Sequence, residues 1–178
     1  MAVRKASCYS KMKVVPFTRK SKVKKKSYIK TIPNTNIVKL RMGDLEGFNK
    51  GKYNLIFTIF SEEDVQIRDI ALEAVRQYLN RRLNELVGGD FYLELKVYPH
   101  HIIRENKMLT GAGADRMSTG MSMSFGTTIG RSALVRKGKA LFVVALNGEK
   151  NEIEARKIFD SIKSKLPCKI YVSLKKIN

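Results

Sequence analysis

The sequence predicts an α+β fold: a mixed, mostly antiparallel sheet carrying two helices, with a basic N-terminal arm and a long internal loop. Three observations predict it. Short runs of β-branched and aromatic residues alternate with polar ones along most of the chain. Only two segments hold an apolar stripe at helical spacing for long enough to make a helix. Between two strand-like runs lies an irregular stretch, Tyr98 to Arg131, with Gly111, Gly113, Gly120, Gly126 and Gly130 in it. Amphipathic strands with so few helices place the helices on one face of the sheet.

Residues 1–36 form the arm. They carry Arg4, Lys5, Lys11, Lys13, Arg19, Lys20, Lys22, Lys24, Lys25, Lys26 and Lys30, and no Asp or Glu. Tyr9, Phe17 and Tyr28 are interleaved, and Pro16 and Pro33 interrupt any helix. A charge run is usually a solvated tail. The absence of acid and the spaced rings point instead to an arm that orders on RNA.

Residues 37–178 read as a single α+β domain. Residues 37–42 alternate, so Val38, Leu40 and Met42 are expected to face the core. Gly43 to Lys52 reads as a turn; its Gly47-x-x-x-Gly51-Lys52 fragment is too short for a phosphate-binding loop. Residues 53–60 read as a buried strand. The first helix follows, with Ser61 as its cap and Asp64 in the reciprocal position of a capping box. Its stripe is Ile67, Ile70, Ala71, Ala74, Val75, Tyr78, Leu79, Leu83 and Leu86, with Arg68, Arg76, Arg81 and Arg82 on other faces. Gly88 and Gly89 end it.

Residues 91–98 alternate, with Phe91, Leu93, Leu95 and Val97 inward and Tyr92, Glu94, Lys96 and Tyr98 outward, and Pro99 stops the strand. After the glycine-bearing stretch, 132–135 and 140–146 read as two strands of a hairpin. Arg136, Lys137, Gly138 and Lys139 form its tip, where three cations suit phosphate contact. A second helix is expected over 152–166, capped by Asn151 and Glu154, with Ala155, Ile158, Phe159, Ile162 and Leu166 as its stripe. Residues 168–174 form the last strand. The expected order is β-β-α-β-loop-β-β-α-β.

Composition bounds the function. Thirty-five Lys and Arg against sixteen Asp and Glu give a net charge of +19. Such an excess argues for a polyanionic partner, nucleic acid before membrane. No apolar run approaches the ~18 residues of a spanning helix. Hydrophobic residues make up 43% of the 178, enough for a real core. Cys8 and Cys168 have no C-x-x-C neighbour and read as reduced cytosolic thiols. The N-terminus has no apolar signal core.

No constellation for chemistry stands out. His100 and His101 point apart on an extended chain and have no third histidine to complete a metal set; phosphate contact or a strand end suits them. Glu105 and Asp115 can pair as acid and base or hold magnesium, but bridging nearby arginines is the simpler role. Gly111-Ala112-Gly113-Ala114-Asp115-Arg116 lacks the third glycine of a dinucleotide fingerprint. No metal or cofactor is expected. The stretch is read as backbone shaped by glycine and presented, with Arg104, Lys107, Arg116 and Arg131, to a polyanion.

The run V-Y-P-H-H-I-I-R-E-N-K-M-L-T-G-A-G-A-D-R-M-S-T-G-M (97–121), with F-G (125–126) and V-R-K-G (135–138), closely resembles the large-subunit ribosomal protein L-ten-e. That is the archaeal and eukaryotic branch of the universal L-sixteen family. V-Q-I-R-D-I-A-L-E-A-V-R (65–76) resembles its first helix, and F-T-R-K (17–20) and Y-I-K-T-I-P (28–33) its arm. The resemblance implies an α/β-hammerhead type of α+β fold and a structural, non-enzymatic role in the cytoplasmic large ribosomal subunit. It implies a monomer bound to large-subunit rRNA beside neighbouring ribosomal proteins, with five-S rRNA as a candidate neighbour. It also implies that the loop of Arg104, Asn106, Lys107, Met108, Gly111, Gly113 and Asp115 approaches tRNA in the aminoacyl site near the peptidyl-transferase centre. Two other classes compete: an RNA-cleaving or RNA-modifying enzyme using Glu105, Asp115 and the histidines, and a DNA-compacting basic protein.

Overall fold

The computed structural model describes residues 5–12, 31–105 and 126–177. Most of the arm and the centre of the glycine-bearing stretch lie outside them. The fold is α+β, with two antiparallel sheets in place of the single mixed one expected. The five-stranded sheet contains β1 (Arg41–Gly43), β2 (Leu55–Ser61), β4 (Tyr92–Leu95), β7 (Ala140–Leu146) and β8 (Ile170–Lys176), in the order β1-β4-β7-β2-β8. The three-stranded sheet contains β3 (Val65–Arg68), β5 (His101–Glu105) and β6 (Thr127–Val135), in the order β3-β6-β5. Among the described residues the α-helices are α1 (Leu45–Asn49), α2 (Asp69–Val87) and α3 (Glu149–Ile162).

Alternation in β2 does what period-two patterning requires. Leu55, Phe57 and Ile59 are buried on one face, while Ile56, Thr58 and Phe60 are half-buried on the other. The buried face meets α3, where Phe57 and Phe159 pack with ring centroids 5.1 Å apart. Ala155, Phe159, Ile162 and Leu166 are buried as their spacing predicts. On α2 the buried apolar set is Ala71, Leu72, Val75, Leu79 and Leu83. One continuous core joins these residues to Val65, Ile67, Ala133 and Val135 of the smaller sheet. Gly88 closes α2 in the left-handed conformation, φ 60°, its N–H donating to the Asn84 carbonyl.

The start of α2 corrects the predicted capping box. Ser61 ends β2, and its hydroxyl donates to the Glu63 carbonyl at 2.8 Å. The Asp64 carboxylate accepts the Lys137 N–H instead. Residues 65–68 pair with 132–135 as β3, so the helix begins eight residues after Ser61. The apolar spacing of Ile67 and Ile70 imitates a helical stripe, but Ile67 is a strand residue and Ile70 is exposed. Pairing with β6 overrode the local pattern. In α3 the proposed Asn151 cap lies inside the helix, its Nδ2 donating to the Asn147 carbonyl.

Residues 37–42 also depart from expectation. Only Arg41–Gly43 pair as β1, and Val38 and Leu40 face out while Ile37 is buried. The reason is a tether upstream. Asp69, buried at the first residue of α2, accepts the Asn36 N–H at 3.0 Å, the Asn36 side-chain amide at 2.7 Å and the Ile70 N–H at 2.9 Å. That fixes which way the chain turns at Asn36 and sends Ile37 inward.

The expected turn after residue 42 contains α1, capped by the Asp44 carboxylate on the Gly47 N–H. Gly43, at φ 86°, passes so close to β4 that a Cβ would stand 1.9 Å from the Phe91 carbonyl oxygen. Phe48 of α1 stacks on Tyr92 at 4.1 Å. Tyr92, expected to face outward, is therefore buried beneath this corner, and Glu94, also expected outward, is buried among Arg41, Tyr92 and Lys96.

Besides Asp69, two carboxylates among the described residues are buried, Glu73 and Glu94. Glu73 is held below its ordinary pKa by the Arg76 guanidinium, against burial, with Gln77 assisting. For Glu94, burial pushes upward, but hydrogen bonds from Lys96, Arg41 and Tyr92 together outweigh it and the net shift is downward. The stability these groups supply is fully present above an unfolded pKa of roughly 4.3 and is lost as pH falls through their lower folded values. Glu73→Gln and Glu94→Gln should flatten the acid limb of a stability-against-pH curve; an unchanged limb in both variants contradicts the assignment. Asp69→Ala should cost ~1–3 kcal/mol. It should also expose the 31–36 segment to protease before the core unfolds, as limited proteolysis followed by mass spectrometry can read.

Candidate nucleic-acid interface

The predicted irregular stretch is narrower than its sequence suggests. Its ends are strands: His101–Glu105 pairs with Thr127–Ser132 of β6, with a register shift between Ile103 and Arg104. Asn106, Lys107, Met108, Gly111, Gly113, Asp115 and Arg116 lie outside the described residues, as do Arg4, Lys13, Arg19, Lys20, Lys22, Lys24, Lys25, Lys26 and Lys30. What is described is the frame from which both basic segments leave.

The frame is the three-stranded sheet. Residues 5–12 lie along the outer edge of β3. The Ser10 carbonyl accepts the Gln66 N–H at 2.9 Å, and the Tyr9 carbonyl accepts the Gln66 side-chain amide at 3.0 Å. The Arg68 guanidinium sits over the Tyr9 ring at 5.7 Å, and Ala6 packs against the core. The Tyr9 hydroxyl donates to the Glu105 carboxylate, at the end of β5 where the central segment departs. Arm and central stretch, separate in sequence, thus share one anchor point. Lys5 and Lys11 flank it, exposed.

The other end of the arm is strapped to the same sheet. Arg131, counted above among cations for phosphate, donates from Nε to the Pro33 carbonyl at 2.7 Å and from Nη1 to the Tyr98 hydroxyl at 3.4 Å. Tyr98 packs against the exposed His100, ring centroids 4.6 Å apart. The neighbouring histidine differs: His101 is buried in β5, and burial pushes its pKa down. Burial hides its ring and disfavours the charged form, which withdraws the phosphate contact assigned to it. Arg104 is half-buried and donates to the Gly126 carbonyl at 2.7 Å, bridging the two strands at the base of the central segment. Burial lowers its pKa from the ordinary arginine value.

The basic turn is where the sequence puts it, but it is not a hairpin tip. β6 and β7 belong to different sheets, so residues 136–139 carry the chain from one sheet to the other. The turn docks on the end of β2: Gly138 N–H donates to the Ser61 carbonyl at 2.8 Å and Ser61 N–H to the Lys139 carbonyl at 3.1 Å. Arg136, Lys137 and Lys139 are exposed. Because the backbone is held so firmly, their positions are set by the fold and not by the turn alone.

Sequence reasoning missed the anchors Gln66, Asn36 and Asp69, and took Tyr9 only as a ring available to RNA. Nothing local marks Gln66, whose role comes from its edge position. Asp69 leaves a faint signal as an acid in the first turn of a helix. Among the described residues no group of His, Cys, Asp and Glu is arranged to hold a metal, and no helix is long and apolar enough to cross a membrane. Cys8 and Cys168 are free thiols, and burial raises the Cys168 pKa.

Residues 13–173 match the family model described as ribosomal protein L16p/L10e. The protein named large ribosomal subunit protein uL16 from Pyrobaculum arsenaticum is 39% identical over 168 residues, covering 94% of this chain and 88% of its own. The protein of the same name from Thermofilum pendens is 39% identical over 168 residues, 94% of each chain. That from Metallosphaera sedula is 39% identical over 170 residues, 94% of this chain and 91% of its own. A match spanning arm, both sheets and the central stretch leaves one conclusion: the chain belongs to the ribosomal protein L16p/L10e family.

Proposed function

We propose that this chain, a structural constituent of the large ribosomal subunit by its family, holds rRNA with its acid-free arm and basic turn. We further propose that its central segment lies beside tRNA in the aminoacyl site near the peptidyl-transferase centre. Five-S rRNA and neighbouring large-subunit proteins complete the proposed surroundings, with the chain present as a monomer. The observation that carries the reading is the distribution of charge: the +19 excess includes eleven cations and no acid within residues 1–36. Of the eleven, Lys5 and Lys11 are exposed on the described frame, and the exposed Arg136, Lys137 and Lys139 of the turn extend the surplus.

The physical division of labour is simple. Lysine and arginine donors on phosphates fix position and carry no sequence information. Rings and guanidinium planes add stacking on unpaired bases. Arg104 and Glu105 act at the base of the central segment by holding strand ends and the arm together. This gives Glu105 a structural task, and family membership leaves the RNA-cleaving alternative without support. Peptide transfer asks nothing catalytic of such a protein.

Binding of the full chain to deproteinised large-subunit rRNA should fall steeply with salt. About 10 phosphate contacts give a slope near −7 in log K against log salt on single-strand-like RNA. An affinity that barely changes between low and high salt contradicts the arm-and-turn reading. A chain with residues 106–114 replaced by a short Gly-Ser link should still enter subunits, which then bind aminoacyl-tRNA weakly. Normal tRNA binding by such subunits removes the role proposed for the segment.

A further inference from the structure

We propose that the open face of the five-stranded sheet, at the Phe60–Tyr171 pair, is a stacking site for an unpaired base of large-subunit rRNA. The inference rests on the rRNA-binding reading above and adds a contact that neither arm nor central segment supplies.

The inner face of that sheet is covered by helices. Among the described residues its outer face is covered at one end, where α1 brings Phe48 over Tyr53, Tyr92 and Ala145. At the other end Phe60 of β2 and Tyr171 of β8 stand opposite each other in register. Their rings stack, centroids 5.0 Å apart and planes 13° from parallel. Tyr171 is 43% exposed on an edge strand. Thr58 and Ser173, the next pair on the same face, put two hydroxyls beside the rings. An antiparallel sheet with open aromatic rings and adjacent hydrogen-bonding groups is how compact domains take unstacked bases.

The charge around the pair selects the occupant. The docked turn brings Arg136, Lys137 and Lys139 to the Phe60 end of β2. Lys169 and Lys175 lie two before and four after Tyr171 on the β8 segment. The acidic neighbours are Glu62, Glu63 and Asp64, and Asp64 is already engaged by the Lys137 N–H. Five cations against three carboxylates leave a positive surplus. The centre of a protein–protein interface is typically depleted of lysine, so a protein partner fits this patch poorly. A base stacked on the rings, with its phosphates toward the turn and the β8 lysines, fits it well.

The chain has no tryptophan, so Tyr171→Trp introduces a single fluorescent reporter. Octa-adenylate should quench its emission, and Phe60→Ala in the same chain should diminish the quench. Tyr171→Ala and Tyr171→Leu should each weaken binding of the full chain to large-subunit rRNA about tenfold, as loss of one stacked base does. The salt slope should not change, because no phosphate contact is lost. An unquenched indole, or Tyr171→Ala binding as tightly as the parent, overturns the stacking site; the parent's steep salt slope would still stand and keep the arm-and-turn reading intact. Weakening by Tyr171→Ala but not by Tyr171→Leu overturns it too, since apolar area without a ring would then suffice. So does a Tyr171→Ala subunit that keeps rRNA affinity but lacks a neighbouring protein.

Discussion

Sixteen carboxylates share one fold with thirty-five cations, and the structure depends on how those few acids are used. Like charges at this density repel and oppose compaction. The acids near the core act as internal ties. Asp69 binds Asn36, Glu73 binds Arg76, Glu94 gathers Arg41, Lys96 and Tyr92, and Glu105 takes the Tyr9 hydroxyl. Each tie joins segments or helix turns that the hydrophobic core alone would not align. Cations left over stay exposed on the arm's root and on the turn that links the sheets. Such a molecule lowers its own repulsion when phosphates approach.

The two sheets divide the work. The larger one, with α2 and α3 against it, contains most of the buried apolar side chains. The smaller one is a mount: residues 5–12 lie along its edge, Arg131 straps residue 33 to it, and the central segment leaves from its β5 and β6 ends. α2 starts directly from β3, so the mount is rigidly coupled to the core. Both basic segments therefore leave from fixed points.

Much of this was legible in the sequence. The stripe of α3, the glycine end of α2, the strands around 55–61, 140–146 and 170–176, and the family-bearing run at 97–121 follow from periodicity, turn chemistry or resemblance. The failures share one cause, which is pairing between distant segments. Residues 65–68 carry helical spacing yet form a strand because 132–135 lies beside them. Val38 and Leu40 alternate correctly, but Asp69, about thirty residues on, decides which of their neighbours turns inward. His100 and His101 look alike; only the β5–β6 register distinguishes an exposed ring from a buried one. Family resemblance gave the function its frame, and charge supplied a physical reason for it.

The central claim is that surplus charge on a fixed frame holds this chain on large-subunit rRNA. Sedimentation of native particles through sucrose at stepped salt concentrations tests it most directly. The account predicts that the chain travels with large subunits at low salt and is stripped progressively as salt rises, sooner when Arg136, Lys137 and Lys139 are replaced together by Gln. A chain that sediments apart from subunits at low salt, or that stays bound identically with and without those three cations, would contradict it.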